Sequence, residues 1–275
     1  HLLKSANPCL ISIPLFKPLI YEETPGYMAK IKLSAISTRA PKNTDKEKLK
    51  AETEKILVEL DELQNRLIAE SKHSLLVIIQ GMDASGKDGL LRDVFGSLNP
   101  LGVSVTSFKA PTAEELSHDF LWRVHKAAPA KGMIRIFNRS QYEDILVTRV
   151  HGWCDDATAI KRMKAINDFE ELLLNHNNTQ ILKFYLHVSP AEQQERLQER
   201  THDPRKMWKY NERDFAEAKL WNKYMKYYED CFHYCNKVPW QIIPSDQNWY
   251  KDYLVAKTVY DTLKKLNMQY PGLKK

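Results

Sequence analysis

Five short apolar runs alternate along the chain with longer segments of helical periodicity. Each run has the length of a strand and is bounded by polar or turn-forming residues. The segments between them repeat their apolar residues every three or four positions, as in helices that cover a core. This alternation predicts a parallel sheet covered on both faces. The predicted strands are 75–80, 103–108, 133–137, 180–188 and 240–243, and the predicted helices are 44–71, 87–97, 113–126, 140–150, 157–176, one opening at Pro190, 212–235 and 248–267.

The boundaries of these elements carry ordinary helix signals. Thr44 or Asp45 can cap the first helix, and Pro190 stands at the first position of a later one. We find no repeat, low-complexity stretch or linker, so a single domain is the simplest interpretation. We expect residues 44–275 to form it and residues 1–43 to be an N-terminal extension, with Met28 a candidate start.

Composition limits the size of the domain and the kinds of partner, but it does not indicate a function. The chain has 275 residues, of which 43% are apolar, enough for one large α/β domain. Residues 1–50 hold nine Lys/Arg against four Asp/Glu, so most of the net charge of +6 lies there. We therefore expect no nucleic-acid partner, although the basic extension could be either a solvated arm or a polyanion contact. No apolar run approaches the roughly 20 residues of a membrane span, so we expect no membrane partner and a cytoplasmic location.

The four cysteines do not suggest a disulfide framework. They are Cys9, Cys154, Cys231 and Cys235, and they fit a reduced environment. Cys231 and Cys235 could belong to a metal site, but they fall on a predicted helix and no second cluster completes four ligands. We expect no zinc.

A phosphate-binding loop follows the first strand. Residues 81–87 read GMDASGK, which matches the pattern G-x-x-x-x-G-K between a strand and a helix. Gly81 and Gly86 let the backbone wrap so that N–H groups, including those beside Ala84 and Ser85, point at anionic phosphate. Lys87 adds a mobile positive charge. A chance turn containing glycine is the alternative, and the flanking strand and helix make it a poor one.

Two acids make this loop unusual. The pattern calls for Ser or Thr after the lysine, and this chain has Asp88. Asp83 lies inside the loop, where a carboxylate is reasonable if it holds Mg²⁺. Asp88 stands at a helix start, where a carboxylate is favourable in any protein, and a phosphate-site role is the alternative.

The end of the third strand supplies a second candidate cluster. It contains Asn138, Arg139 and Glu143, and Arg149 follows on the next predicted helix. A guanidinium at the carboxyl end of a strand can clamp phosphate oxygens, because ligands bind at that edge of such sheets. The alternative is a surface ion pair between Arg139 and Glu143, four residues apart.

Basic residues elsewhere could reach the same crevice. Lys109 and Arg123 follow the second strand and are candidates for nucleotide contact. Residues 196–213 hold six Lys/Arg against three Asp/Glu, at the position of a kinase lid. A lid of this kind closes over the phosphates and delivers Arg and Lys side chains to them. A solvated basic helix end is the alternative.

Taken together, these stretches resemble the family-2 polyphosphate kinases. The resemblance runs from about residue 44 to 270 and rests on five motifs in the order of that family, which read GMDASGKDG, SFKAPTAEELSHDFLWR, FNRSQYEDILVTRVH, LKFYLHVSPAEQQERLQER and DPRKMWK. It implies a thymidylate-kinase-like phosphate-loop fold, a three-layer α/β sandwich with a five-stranded parallel sheet and a helical lid. It also implies Mg²⁺-dependent, reversible transfer of the terminal phosphoryl group between inorganic polyphosphate and a nucleotide, by a homo-oligomer, either a dimer or a tetramer. The residues implied as catalytic are Asp83, Lys87, Arg139, Glu143 and Arg149. The resemblance also implies phosphate contacts by the lid residues Arg196, Arg200, Lys206 and Lys209.

The motif at residues 138–143 narrows the acceptor. It reads NRSQYE, which is similar to the subgroup that accepts nucleoside monophosphates as well as diphosphates. ADP, GDP, AMP and GMP are then expected acceptors, with Glu143 as a second possible metal ligand. Two other functions stay open from the residues alone, an ATP-dependent nucleoside monophosphate kinase and a non-catalytic nucleotide-binding switch.

Overall fold

The computed structural model describes residues 31–273. Its strands are β1 (Ser74–Gln80), β2 (Val103–Ser107), β3 (Ile134–Asn138), β4 (Thr179–His187) and β5 (Trp240–Pro244). Its α-helices are α1 (Lys46–Glu70), α2 (Lys87–Phe95), α3 (Ala113–Leu116), α4 (Trp122–Lys126), α5 (Val147–Val150), α6 (Asp156–Asn177), α7 (Pro190–His202), α8 (Glu212–Ala218), α9 (Trp221–Tyr234) and α10 (Asn248–Lys265).

The five strands form one parallel sheet in the order β2-β3-β1-β4-β5. β1 lies at the centre, where Leu75 pairs with Ile134 on one side and with Gln180 on the other. The predicted α/β class and five-stranded parallel sheet are confirmed. Because all strands run the same way, the loops after β1 and β3 meet at one edge of the sheet.

Both faces of the sheet are covered, which explains why β1 is apolar throughout. Leu75 and its alternate neighbours pack with α1, α2 and α10, whereas Leu76 and Ile78 pack with α6 and α9. Successive side chains of a strand point to opposite faces, so a central strand between two helical layers must be apolar at every position. The molecule is thus the expected three-layer sandwich.

Three predicted helices differ from the structure. The helix 113–126 is two short helices, because Asp119 accepts a hydrogen bond from the Leu121 N–H at 2.9 Å and starts a new turn. The helix 140–150 is a 3₁₀ turn followed by α5, since the Ser140 hydroxyl accepts from the Tyr142 N–H. The helix 212–235 divides at Lys219 and Leu220 into α8 and α9.

Part of the predicted N-terminal extension packs onto the domain. Leu33 is 2% exposed, and the Thr38 hydroxyl donates to Asp246 at 2.7 Å. The packed structure therefore begins before residue 44, the predicted boundary. Residues 1–30, with Cys9 and Met28, lie outside the described residues.

Two expected absences can be compared with the described part of the chain. Within residues 31–273, no helix has the length and apolar character needed to cross a bilayer. Cys231 and Cys235 are fully buried at α9, and burial raises the pKa of both thiols, that of Cys235 to about 12. No cluster of metal-binding side chains surrounds them among the described residues.

Candidate functional site

The loop between β1 and α2 has the conformation that its glycines allow. Gly86 has a φ of +95°, and a Cβ atom at Gly81 would lie 2.7 Å from the Ser85 Oγ. Ala84 also lies in the left-handed region, with a φ of 61°. The N–H groups of Ala84, Gly86 and Lys87 donate to no acceptor within residues 31–273. These donors, together with the start of α2, form a cradle that suits phosphate oxygens.

Lys87 is folded back onto this loop. Its ammonium group donates to the Gly81 carbonyl at 2.7 Å and to the Met82 carbonyl at 2.9 Å, and the residue is 8% exposed. Burial lowers the pKa of Lys87 to about 8, and the charge of Arg139 adds to this shift. An incoming polyanion would therefore meet an ammonium group that has only neutral partners, which it can exchange for phosphate.

Arg139 joins the two acids predicted from sequence. Its guanidinium group pairs with Asp83 of the loop and with Glu143 at 3.3 Å. The Arg139 backbone has a φ of 61°, a strained conformation for a residue other than glycine. Burial disfavours its charge, but Glu143 and Asp83 raise the pKa of Arg139 overall. From the sequence, a surface ion pair between Arg139 and Glu143 is the alternative to a functional role for these residues. The ion pair is present, and it lies in the candidate site, where Arg139 also contacts Asp83.

Asn138 lies beside this cluster because β3 pairs with β1 at Ile79. Its amide nitrogen donates to Asp88 at 3.3 Å, while its Oδ1 is buried and accepts no hydrogen bond within the described residues. The buried Ser85 Oγ also has no partner there. Buried oxygen atoms usually have a donor, so a water, a ligand or an ion can complete the contacts of these two atoms.

Asp88 connects the loop with the lid. Lys209 donates to its carboxylate at 2.9 Å across 121 residues of sequence. Partial burial raises the pKa of Asp88, but the hydrogen bond and charge of Lys209 outweigh that effect and lower it. Asp88 is also in the first turn of α2, as the helix-terminus interpretation requires. The carboxylate thus forms an ion pair with the lid, which the neutral hydroxyl of Ser or Thr could not form.

The remaining lid residues form further ion pairs. Lys206 pairs with Glu199 at 2.5 Å, and Arg200 pairs with Asp214 at 2.6 Å. Burial raises the pKa of Asp214, and the negative charge of Asp83 adds to this shift, whereas Arg200 opposes it. No motif identified Asp214 in advance, since an acid after a basic segment is common.

Three candidate residues do not join the cluster directly. Arg149 is held by Asp156 at 2.7 Å and Asp230 at 3.0 Å. Arg123 is buried and donates to the Lys109 carbonyl at 2.9 Å, so it supports the backbone of another candidate. The third, Lys109, has an exposed side chain. Phosphate or nucleotide contact by these residues stays a prediction.

Arg196 occupies a different place from the one expected. Its guanidinium group donates to the Ala84 carbonyl at 3.2 Å and to the carbonyls of Ser245 and Asp246. A further hydrogen bond goes to Glu192 at 2.9 Å. The guanidinium group therefore supports the outside of the phosphate loop, and the geometry does not favour direct contact with polyphosphate.

Two groups of residues near the site were not among the predicted site residues. Gln193 and Lys251 donate to loop carbonyls from α7 and α10. Beneath the 138–143 motif, the Lys183 ammonium group donates to Glu170 and to the Tyr142 hydroxyl, each at 2.8 Å, and both charged side chains are fully buried. A lysine within the apolar strand β4 was the only available indication.

Comparison with protein families gives one match that spans most of the chain. Residues 43–271 match the family described as Polyphosphate kinase 2 (PPK2). This range contains the phosphate loop, the 138–143 motif and the lid.

Curated relatives and a solved structure agree with that match. An AMP/ADP-polyphosphate phosphotransferase of Meiothermus ruber is 46% identical over 214 residues, which are 77% of this chain and 80% of the relative. An ADP-polyphosphate phosphotransferase of Rhodopseudomonas palustris is 39% identical over 226 residues, 77% of this chain and 78% of the relative. The crystal structure of Polyphosphate Kinase 2 from Arthrobacter aurescens TC1 superposes with a TM-score of 0.86 at 40% identity, covering 90% of both chains.

Proposed function

The chain belongs to the polyphosphate kinase 2 family, and we propose that it transfers the terminal phosphoryl group of inorganic polyphosphate to ADP, GDP, AMP and GMP, reversibly and with Mg²⁺. Polyphosphate:nucleotide phosphotransfer is the activity that its relatives name. The names of these relatives state AMP and ADP, so the guanine acceptors and the metal are the parts of this proposal that extend beyond them. A homo-oligomeric state and a cytoplasmic location stay predictions from the sequence.

One observation carries the proposal, the position of Arg139 between Asp83 and Glu143 beside the phosphate loop. The acceptor oxygen belongs to a phosphate that is already ionised, so no general base is required. The obstacle is repulsion between two polyanions, which costs about 4 kcal/mol per charge pair at 4 Å and an effective dielectric constant of 20. Lys87 and Arg139 offset this repulsion, and the loop N–H groups orient the donor chain.

The donor atoms beside Arg139 suit Mg²⁺. Asp83 and Glu143 offer carboxylates, and the buried Oδ1 of Asn138 accepts no hydrogen bond within residues 31–273. Mg²⁺ in phosphoryl-transfer sites is commonly held by one or two carboxylates together with substrate phosphates and water. We infer that Asp83 holds the ion and that Glu143 is its second candidate ligand. The ion would neutralise charge on the transferring group.

The two rival functions predict different products. An ATP-dependent nucleoside monophosphate kinase would phosphorylate AMP only when ATP is the donor. A nucleotide-binding switch would bind nucleotide without forming product. Family membership favours polyphosphate as donor.

Product analysis tests the proposal directly. Purified protein is incubated with either polyphosphate or ATP as donor and each of AMP, ADP, GMP and GDP, with Mg²⁺ or with excess EDTA, and nucleotide binding is measured by calorimetry in parallel. We expect phosphorylated product with all four acceptors and none with EDTA. Product formation only with ATP, or binding without product, would support one of the rival functions instead.

The same assay tests the site residues. We expect Lys87→Ala and Asp83→Asn each to lower kcat by about three orders of magnitude, because these groups act most strongly as charge redistributes. Circular dichroism and thermal unfolding show whether each variant is folded. Near-wild-type turnover in a folded variant would remove that residue from the site.

A further inference from the structure

The outer side of the phosphate loop is held by three side chains from outside the loop. The carbonyl oxygens of Asp83, Ala84 and Gly86 accept hydrogen bonds from Gln193 at 3.0 Å, Arg196 at 3.2 Å and Lys251 at 3.3 Å, respectively. The first two donors belong to α7, which leads into the lid, whereas Lys251 belongs to α10. Lys251 is the member of this set that no motif suggests.

These contacts hold the carbonyl side of the loop and so restrict the direction of its N–H groups. In a trans peptide the carbonyl and the following N–H point in opposite directions. The Gly86 carbonyl accepts from the Leu90 N–H of α2 at 3.0 Å as well as from Lys251, so the Lys87 N–H points away from both donors. That N–H has no acceptor within the described residues, so it is available to a phosphate oxygen.

Lys251 occupies an electrostatically costly position. Its side chain is 1% exposed, and its ammonium group lies beside Gly86, the residue that precedes α2, where the helix dipole is already positive. A Cβ atom on Gly86 would lie 2.9 Å from the Lys251 Nζ and 3.5 Å from an Arg196 nitrogen, so two cations adjoin this one glycine. Burial lowers the pKa of Lys251, Asp252 opposes this shift, and the charge of Arg196 adds to it.

The acceptors around Lys251 do not fully offset this cost. Its ammonium group donates to Asn248 at 2.9 Å, and the Asp252 carboxylate is 3.6 Å away. Apolar packing of the same volume would be more stable than an incompletely paired buried lysine. A bound phosphate chain changes this balance, because its negative charge would lie on the other side of a single peptide unit.

We propose that Lys251 is a positioning residue of the transfer reaction, which orients the loop through the Gly86 carbonyl and attracts the phosphate chain of inorganic polyphosphate with its charge. This inference rests on the proposed function and extends it to a residue that lies behind the loop. Lys251 touches no reacting atom, and it acts through the loop and through its field.

Two substitutions separate the hydrogen bond from the charge. Lys251→Met removes both at nearly constant volume, whereas Lys251→Gln keeps a donor without a charge. Lys257→Met is the matched control, because it removes a positive charge from the same helix, at a side chain that is 37% exposed and paired with Asp261.

Binding of tripolyphosphate without nucleotide is measured by calorimetry at several salt concentrations, followed by steady-state kinetics with polyphosphate and ADP. We expect Kd for tripolyphosphate to rise about tenfold in both Lys251 variants, with a weaker dependence on salt. We expect kcat to fall further in Lys251→Met than in Lys251→Gln, which keeps the donor. Thermal stability should be unchanged or higher in Lys251→Met, and Lys257→Met should match the wild type in all three measurements.

Unchanged tripolyphosphate affinity in folded Lys251→Met overturns the inference, as does an equal loss of affinity in Lys257→Met. If Lys251→Met does not fold, wild-type affinity in Lys251→Gln overturns it instead. A failure of the proposed function is distinguishable, because the wild type would then form no product from polyphosphate.

Discussion

The lid and the support beneath the 138–143 motif both depend on ion pairs, but the two regions differ in exposure. Lys183 and Glu170, beneath the motif, form a pair 2.8 Å apart that is completely buried. In the lid, Lys206 and its partner Glu199 are each 42% exposed, and Lys209 is 33% exposed. A buried pair cannot lose one member without leaving an uncompensated charge, whereas exposed pairs exchange readily. This difference fits a fixed acceptor motif and a lid whose lysines can pass from carboxylates to phosphate.

The buried pair should give the largest effect. Lys183→Met leaves Glu170 buried without a cation, and we expect it to lower the free energy of unfolding by about 3–5 kcal/mol. Urea denaturation measures this loss. The control is Lys164→Met in α6, whose exposed pair with Asp168 should contribute less than about 0.5 kcal/mol. Equal effects of the two substitutions would contradict the distinction between the regions.

Lys87 is another buried lysine, and the pH dependence of catalysis tests whether its charge is needed. Its pKa of about 8 means that the ammonium form predominates below pH 8 and is lost above it. We expect kcat/KM for polyphosphate, which reports the unliganded enzyme, to fall above about pH 8 by up to about tenfold per pH unit. The lid variant Lys206→Gln/Lys209→Gln should keep this pH dependence. Its disappearance in that variant would assign the titration to the lid.

Neutralising the two lid lysines should change the KM for polyphosphate more than it changes the stability of the protein. In Lys206→Gln/Lys209→Gln we expect KM for polyphosphate to rise about tenfold, with a weaker salt dependence, because two positive charges that attract polyphosphate are lost. The free energy of unfolding should change by less than about 1 kcal/mol. KM for ADP should be nearly constant, and a change confined to ADP would mean that the lid serves the nucleotide.

Glu143 should give the smallest and most selective effect. Glu143→Gln keeps the size of the side chain and removes its charge, so an ion or water that positions the shorter acceptor would be lost. We expect kcat/KM for AMP to fall several-fold more than kcat/KM for ADP at saturating polyphosphate. The contact with Arg139 offers a simpler role, in which Glu143 only orders that guanidinium group. An unchanged ratio between the two acceptors would favour that simpler role.

The sequence predicted the strands better than the short helices. The β1 and β4 segments are mostly apolar and are buried at nearly every position. A strand covered on both faces must be apolar along its length, so its sequence identifies it clearly. The divided helices 113–126 and 212–235 contain no proline or glycine at the break, so periodicity continued through them. Their turns depend on contacts such as that of Asp119, which a spacing pattern does not contain.

Within the site, the residues on the loop and at the strand end could be found because their motifs are continuous. Asp83 and Lys87 share one loop, and Arg139 and Glu143 share one turn. Arg196 shows the limit of this approach, because its phosphate contact stays a prediction and no motif could show that its guanidinium group donates to the Ala84 carbonyl.

The sequence by itself determined the α/β class, the phosphate loop and the motif that supplies Arg139, since each depends on neighbours within a few residues. Only the tertiary structure decided that Lys209 meets Asp88 and that Lys251 meets Gly86, contacts that span 121 and 165 residues of chain. The physical reason is that local spacing selects helix, strand and turn, whereas the partner of a polar side chain depends on which elements pack together. Burial then sets the strength of each charge, as the lowered pKa of Lys87 shows.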